Sequence, residues 1–134
     1  MTRFVIDAPV AIRLATDGSV IPAGHALLAP ALLRSQALSI LYGSVGRGEI
    51  DRRTAKKVLD GIRALRVRLL GDRVLQSTAW DVAHTLGWPD TYQAEYVALT
   101  RLHADALVTF DTELAAAASK LVTTASLTEV LREP

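Results

Sequence analysis

Residues 88–111, WPDTYQAEYVALTRLHADALVTFD, contain a helix start, an amphipathic helix over 91–103 and a short apolar strand over 106–110. The stretch ends in a carboxylate, Asp111, and a second carboxylate, Asp7, closes the first apolar run, FVID. Ligands in α/β proteins bind beyond the carboxyl ends of the strands. Two aspartates that each end a buried strand therefore predict a functional site, and helix capping is their alternative role.

Apolar segments of strand length alternate with helical segments along the rest of the chain. Residues 25–29, HALLA, lead to Pro30, which we interpret as the start of a helix. The alternation predicts an α/β fold with a mainly parallel sheet of four or five strands, in a single domain that spans residues 1–134. The other strands are expected over 3–6, 67–70 and 121–124, and the other helical segments over 8–15, 31–45, 51–66, 74–86, 112–119 and 126–131.

Composition restricts the classes of function. Fifteen lysines and arginines face 14 acidic residues, and this net charge of +1 is too balanced to indicate nucleic-acid binding by itself. Basic residues are concentrated over 47–73, where a solvated helix face is the favoured interpretation and a patch for RNA phosphates the alternative. No cysteine is present, which excludes disulfides and thiolate metal sites. Since we find neither a membrane-spanning run nor a signal peptide, we expect a cytoplasmic protein without membrane contact.

The two strand-end aspartates have a specific chemistry if neighbouring parallel strands bring them together. Two close carboxylates repel each other unless a cation lies between them. Mg²⁺ or Mn²⁺, which prefer oxygen ligands, would relieve that repulsion. Such an ion can bind a phosphodiester and lower the pKa of a bound water. Asp7 and Asp111 thus suggest metal-assisted phosphodiester hydrolysis, with paired helix caps as the alternative.

Four segments occur in an order that resembles a known family: FVIDA (4–8), PALLRSQALSIL (30–41), TYQAEYVAL (91–99) and LVTFDTELA (107–115). Together they are similar to PIN-domain ribonucleases, specifically VapC-type toxins of toxin–antitoxin pairs. The resemblance covers almost the whole chain. It implies a PIN-like α/β/α sandwich and an Mg²⁺- or Mn²⁺-dependent endoribonuclease acting on RNA. It further implies a homodimer that a small cognate antitoxin protein inhibits.

The chain departs from the family pattern at two of four acidic positions. Asp7 and Asp111 match the pattern, whereas Gln36 and Gln93 stand where the family has a glutamate and an aspartate. An amide can offer a carbonyl oxygen to a metal but carries no charge. We therefore expect Gln36 and Gln93 to line the same pocket, with weak metal affinity and reduced or absent cleavage.

Two further residues near Asp111 are candidates for the site. Thr109 is expected to hydrogen-bond an active-site carboxylate or water. Glu113 is a candidate extra metal ligand, or a group that supports one, and the alternative is stabilisation of the helix dipole at 112–119. Asp90 and Gln93 also resemble a capping box, in which Gln93 would reach back to the backbone.

Two other functions stay open. A catalytically degenerate PIN domain would bind RNA or a protein partner without cutting, and the two glutamines motivate it. A structural dimerisation module is the plainer alternative, and its binding would not depend on the basic residues of the 47–73 segment.

Overall fold

Five short apolar segments form one parallel sheet. The computed structural model describes residues 1–134. All four strand pairings are parallel, and the strand order is β3-β2-β1-β4-β5. The α/β fold class with a parallel sheet is thereby confirmed. The strands are β1 (Thr2–Ile6), β2 (His25–Pro30), β3 (Arg68–Leu70), β4 (Ala106–Val108) and β5 (Thr124–Ala125).

Seven helices flank the sheet. They are α1 (Ala8–Thr16), α2 (Leu32–Gly46), α3 (Arg52–Ala64), α4 (Arg73–Leu86), α5 (Tyr92–His103), α6 (Thr112–Ala118) and α7 (Leu127–Leu131). Helices α1, α2 and α3 pack on one another, whereas α5 lies on β1, β2 and β4 and is covered by α4. This layering agrees with a PIN-like α/β/α sandwich. No helix is both long and apolar enough to cross a membrane.

The central strands are buried on both faces. Val5, Ile6 and Leu107 are completely inaccessible to solvent. Consecutive buried residues are typical of a parallel strand that helices cover on both sides. The same core continues into the helices through Leu14 of α1 and Leu99 of α5.

The interpretation of residues 25–29 as a lead into a helix is wrong. His25–Pro30 is the strand β2, which pairs with β1 on one side and with β3 on the other. A short apolar run in a parallel sheet has no alternation that separates it from a helical segment. Pro30 is tolerated because it ends the strand, where it lies in register with Leu70.

Two predicted strands have bounds that differ from the structure by more than one residue, and the strands expected over 3–6 and 67–70 differ by one. The strand expected over 106–110 ends at Val108, because the hydroxyl of Thr109 accepts a hydrogen bond from the amide of Asp111 and turns the chain. The strand expected over 121–124 is β5, Thr124–Ala125. Leu121 and Val122 pack against the core from a turn that precedes it.

The strand order determines where a site can form. The chain builds the sheet outward from β1 through β2 to β3, and then continues on the other side of β1 with β4. Ile6 of β1 lies in register with Val108 of β4. The residues that follow these two strand ends therefore meet at the point where the strand order reverses, which is the usual ligand-binding position in such sheets.

Candidate active site

A cleft of about 360 Å³ lies at this reversal point. It is lined by the carboxylates of Asp7 and Asp111 and by the amides of Gln36 and Gln93. Residues from the end of β1, from α2, from α5 and from the start of α6 thus converge. The structure brings together these four predicted residues although they are far apart in sequence.

Asp7 combines two roles. Its Oδ1 accepts a hydrogen bond from the amide of Val10 at 3.2 Å and so caps the N-terminus of α1. Its Oδ2 accepts a hydrogen bond from the hydroxyl of Thr109 at 2.5 Å. The side chain is buried, with 8% exposure. The capping alternative is therefore correct for one oxygen, while the second oxygen is held by the neighbouring strand end.

Asp111 likewise uses one carboxylate oxygen to cap a helix and the other to bind a more distant side chain. Its Oδ1 accepts hydrogen bonds from the amides of Glu113 and Leu114, each at 3.0 Å, and caps α6. Its Oδ2 accepts a hydrogen bond from the side-chain amide of Gln93 at 3.4 Å. The two aspartates are thus ordered by helix starts and each keeps one oxygen for a partner outside its own helix.

Thr109 connects the two aspartates. Its hydroxyl donates to Oδ2 of Asp7 and accepts from the backbone amide of Asp111 at 3.1 Å. The expected hydrogen bond from Thr109 to a candidate-site carboxylate is therefore present. One hydroxyl thus links the carboxylate of Asp7 to the backbone of Asp111.

The electrostatic state of Asp7 reflects its surroundings. Burial raises the pKa of Asp7 above its ordinary value of 3.8. The hydrogen bonds from Thr109 and Val10 oppose this increase, and the negative charge of Asp111 adds a smaller increase in the pKa. The two carboxylates therefore repel each other across the cleft, and a cation between them would remove that cost.

Gln36 is held by a tyrosine that the sequence analysis did not select. The hydroxyl of Tyr96 donates to Oε1 of Gln36 at 2.5 Å. Burial, together with the charges of Asp7 and Glu95, raises the pKa of Tyr96 far above its ordinary value, so the hydroxyl keeps its proton. Because this bond occupies Oε1, the two N–H donors of the Gln36 amide are left for other partners in the cleft.

Gln93 does not form the expected capping box. Thr91 is the N-cap of α5 and makes no side-chain capping bond, while Asp90 accepts only from the amide of Tyr92 at 3.3 Å. The Gln93 side chain instead donates to Asp111. In a capping box the Gln93 side-chain oxygen would accept from the backbone amide of Asp90, whereas in the structure its nitrogen donates to a charged carboxylate.

Glu113 lies in the first turn of α6 and is exposed. Its backbone amide contacts Asp111, but its side chain does not line the cleft. No group of three or more acidic, histidine or cysteine side chains in the chain is arranged to hold a metal ion.

The oxygen atoms of the cleft are compatible with a weak site for a hard cation. Asp7 and Asp111 supply two carboxylates, and Mg²⁺ in proteins is commonly held by one or two carboxylates and completed by water. The Gln36 oxygen can join these carboxylates only by sharing or giving up its bond from Tyr96, whereas Gln93 makes its hydrogen bond through its nitrogen and keeps its oxygen available. The residues therefore fit Mg²⁺ or Mn²⁺ at low affinity.

Two residues of the cleft could have been found from helical spacing. Tyr96 follows Gln93 by three positions on α5, and Ser39 follows Gln36 by three on α2. Residues three apart lie on the same face of a helix. Both side chains line the cleft beside their predicted neighbours.

No protein-family model matches the chain, and no curated protein matches it. The fold is similar to the crystal structure of PAE2754 from Pyrobaculum aerophilum, with a TM-score of 0.74. The two sequences are 24% identical, and the match covers 97% of this chain and 93% of that one. At this identity the likeness concerns the fold alone.

Proposed function

We propose that the chain is a VapC-like PIN-domain endoribonuclease that depends on Mg²⁺ or Mn²⁺ and has low activity. The observation that carries the proposal is the pair of carboxylates, Asp7 and Asp111, in one open cleft, where the Thr109 hydroxyl connects the Asp7 carboxylate to the backbone of Asp111. The resemblance of four ordered sequence segments to the family gives the reaction and the substrate class. Asp7 and Asp111 would hold the cation.

A bound cation would neutralise a phosphodiester and lower the pKa of a water molecule. The protein residues have supporting roles. Thr109 keeps Oδ2 of Asp7 in place, and the helix caps keep the other carboxylate oxygens from rotating. The free N–H donors of Gln36 are suited to a non-bridging phosphate oxygen. Low activity follows from the two neutral amides, because they attract a divalent ion less than carboxylates and cannot act as bases.

The partners follow from the same proposal. The substrate is RNA, and a small cognate antitoxin protein inhibits the enzyme, as the family resemblance implies. The active form is a homodimer in the cytoplasm. These statements rest on the sequence resemblance.

A degenerate PIN domain that binds RNA or a protein partner without cutting is the second candidate. The hydrogen bond from Gln93 to Oδ2 of Asp111 favours it. This amide satisfies the carboxylate oxygen that a cation would otherwise contact. In such a protein the cleft would present amide donors in place of a metal.

RNA cleavage by the purified protein tests the proposal. A structured RNA is incubated with Mn²⁺, with Mg²⁺ and with EDTA, beside an Asp7→Asn variant that is expressed and purified in the same way. Asparagine is also a good N-cap, so the control should keep α1 intact. We expect slow cleavage that needs the metal and disappears in the variant.

Cleavage that is equal in the two proteins would identify a contaminant and contradict the proposal. If neither protein cleaves RNA, and if circular dichroism shows that both are folded, the degenerate binding module is favoured. Titration with Mn²⁺ then separates the two candidates, because the enzyme needs a cation site that Asp7→Asn weakens.

A further inference from the structure

A second cavity lies at the opposite edge of the sheet from the cleft, with a volume of about 580 Å³. It extends from the start of β1 along β2 and β3 and is bordered by the residues that follow α3. Three arginines line it: Arg3, Arg66 and Arg68. The cavity and the cleft share no lining residue.

The strand register explains why these arginines converge. Arg3 is in register with Ala26, and Arg68 is in register with Leu28. Paired residues of neighbouring strands point to the same face, and so do residues two apart along one strand. Arg3 and Arg68 therefore lie on the same face of the sheet. The apolar side chains of Ala26 and Leu28 lie between them on that face.

Arg66 reaches the same cavity from the end of α3. Its φ angle is 55°, and it is the one non-glycine residue in the chain with a positive φ. Glycine is the usual residue at such a position after a helix, because a side chain makes the left-handed conformation unfavourable. The arginine is therefore accommodated there at a cost in backbone energy.

No acidic side chain lines this cavity. The chain has three ion pairs, Arg13–Asp17, Arg47–Glu49 and Arg63–Asp60, and none of them includes a cavity arginine. The cavity lining contains His25 and His103 but no acidic residue. Asp105 accepts a hydrogen bond from the backbone amide of Arg3 and not from its guanidinium group, and the C-terminal Pro134 lies against Gly24 beside the lining. Three like charges around one cavity create a positive potential that favours an anion.

We propose that this cavity binds an organic phosphate. Guanidinium groups pair with phosphate through two parallel hydrogen bonds. The volume lies in the range of small-molecule pockets, which is about 300–1,000 Å³. The lining also contains apolar side chains, those of Ile21, Pro22 and Leu65. The site thus suits a phosphate attached to an apolar or aromatic body, such as a nucleotide, either free or as part of an RNA strand.

The site also accounts for part of the basic segment over residues 47–73. Arg47 and Arg63 form surface ion pairs, whereas Arg66 and Arg68 turn to the cavity and join Arg3 from the first strand. The inference does not depend on the metal site. It is therefore tested in Asp7→Asn protein with EDTA, in which the proposed nuclease is inactive.

Inorganic phosphate is the first probe, compared with chloride at the same ionic strength. We expect the arginine Nε–H signals of Arg3, Arg66 and Arg68 to shift in NMR spectra during the titration. The double substitution Arg3→Gln and Arg68→Gln should weaken phosphate binding at least tenfold. Arg52→Gln with Arg53→Gln removes the same charge from the exposed start of α3 and should leave the affinity unchanged.

Two further ligands identify the source of the phosphate. Competition by AMP but not by a 2′-O-methyl RNA oligomer would indicate a free nucleotide, and competition by the oligomer would indicate an RNA strand. Equal weakening by the two double substitutions would show a non-specific charge effect and would overturn the site. The absence of shifts at the three arginines would overturn it as well, whatever the variants do.

Discussion

The hydroxyl of Thr109 holds the carboxylate of Asp7 against the neighbouring strand end, since it contacts both Oδ2 of Asp7 and the backbone amide of Asp111. Thr109→Val keeps the shape of the side chain but leaves the buried Oδ2 of Asp7 without its donor. An unsatisfied buried acceptor costs about 1–3 kcal/mol. We expect this loss in the free energy of unfolding by urea, and also weaker binding of Mn²⁺.

Thr109→Ser is the matched control for that prediction. It retains the hydroxyl and removes one methyl group. Its stability and its affinity for Mn²⁺ should remain close to those of the natural protein. If serine and valine variants had the same stability, the bridging hydrogen bond would contribute nothing measurable.

The pKa of Asp7 predicts how stability depends on pH. Burial raises this pKa in the folded protein above the ordinary value of 3.8 that applies after unfolding. Between these two pKa values the folded protein binds more protons than the unfolded chain, so stability falls as the pH rises. This contribution is fully present below the unfolded pKa and is lost above the folded pKa.

Asp7→Asn removes this titration. In EDTA, the stability of the variant relative to the natural protein should therefore improve as the pH rises from about 3.8 through the raised pKa of Asp7. Urea unfolding at several pH values measures the difference. A constant difference across this range would mean that Asp7 has an ordinary pKa in the folded protein.

At the scale of elements, sequence patterns predicted most helices because their apolar residues recur with a long, distinctive period. They failed at His25–Pro30, where six residues give too little pattern to separate a covered strand from a helix start.

Local sequence was also insufficient to predict the partner of Gln93. Its local sequence supports a capping box, but its actual partner, Asp111, is 18 positions away. Asp7 and Asp111 were predictable because a carboxylate after an apolar run marks a strand end.

Helix packing gives a prediction for two glycines. Alanine is favoured over glycine within a helix by up to about 1 kcal/mol. A Cβ at Gly46, the last residue of α2, would meet no atom within 4 Å, whereas a Cβ at Gly61 of α3 would lie 3.1 Å from the Cβ of Ala15 in α1. We expect Gly46→Ala to stabilise the protein and Gly61→Ala to fall about 1–3 kcal/mol short of that gain, because it overpacks the α1–α3 contact. Equal gains in urea unfolding would show that this contact relaxes without cost.

For the whole molecule, the order of the strands matters more than any single motif. Placing β1 between β2 and β4 brings residues that are more than 100 positions apart to one edge, while α2 and α5 supply the two amides. The fold therefore brings four side chains to one cleft, and two of the four are neutral amides. This separation of scaffold from charge can be tested by returning the two acids.

The double substitution Gln36→Glu and Gln93→Asp should make the folding of the whole domain depend on metal. In EDTA, four carboxylates in one cleft would repel each other and lower the melting temperature. With Mn²⁺ the affinity should rise at least tenfold, which corresponds to about 1.4 kcal/mol. Because a ligand that binds only the folded state stabilises it, the increase in melting temperature on adding Mn²⁺ should exceed that of the natural protein.

Gln76→Glu with Ser77→Asp provides the control for two added charges, since both residues are exposed on α4 outside the cleft. It should leave the response to Mn²⁺ unchanged. If the double variant of the cleft also failed to gain affinity for Mn²⁺ while remaining folded, the cleft would be unable to bring four ligands to one ion. In that case the hydrogen bonds from Tyr96 to Gln36 and from Gln93 to Asp111 would belong to a cleft organised around neutral amides, as the binding module requires.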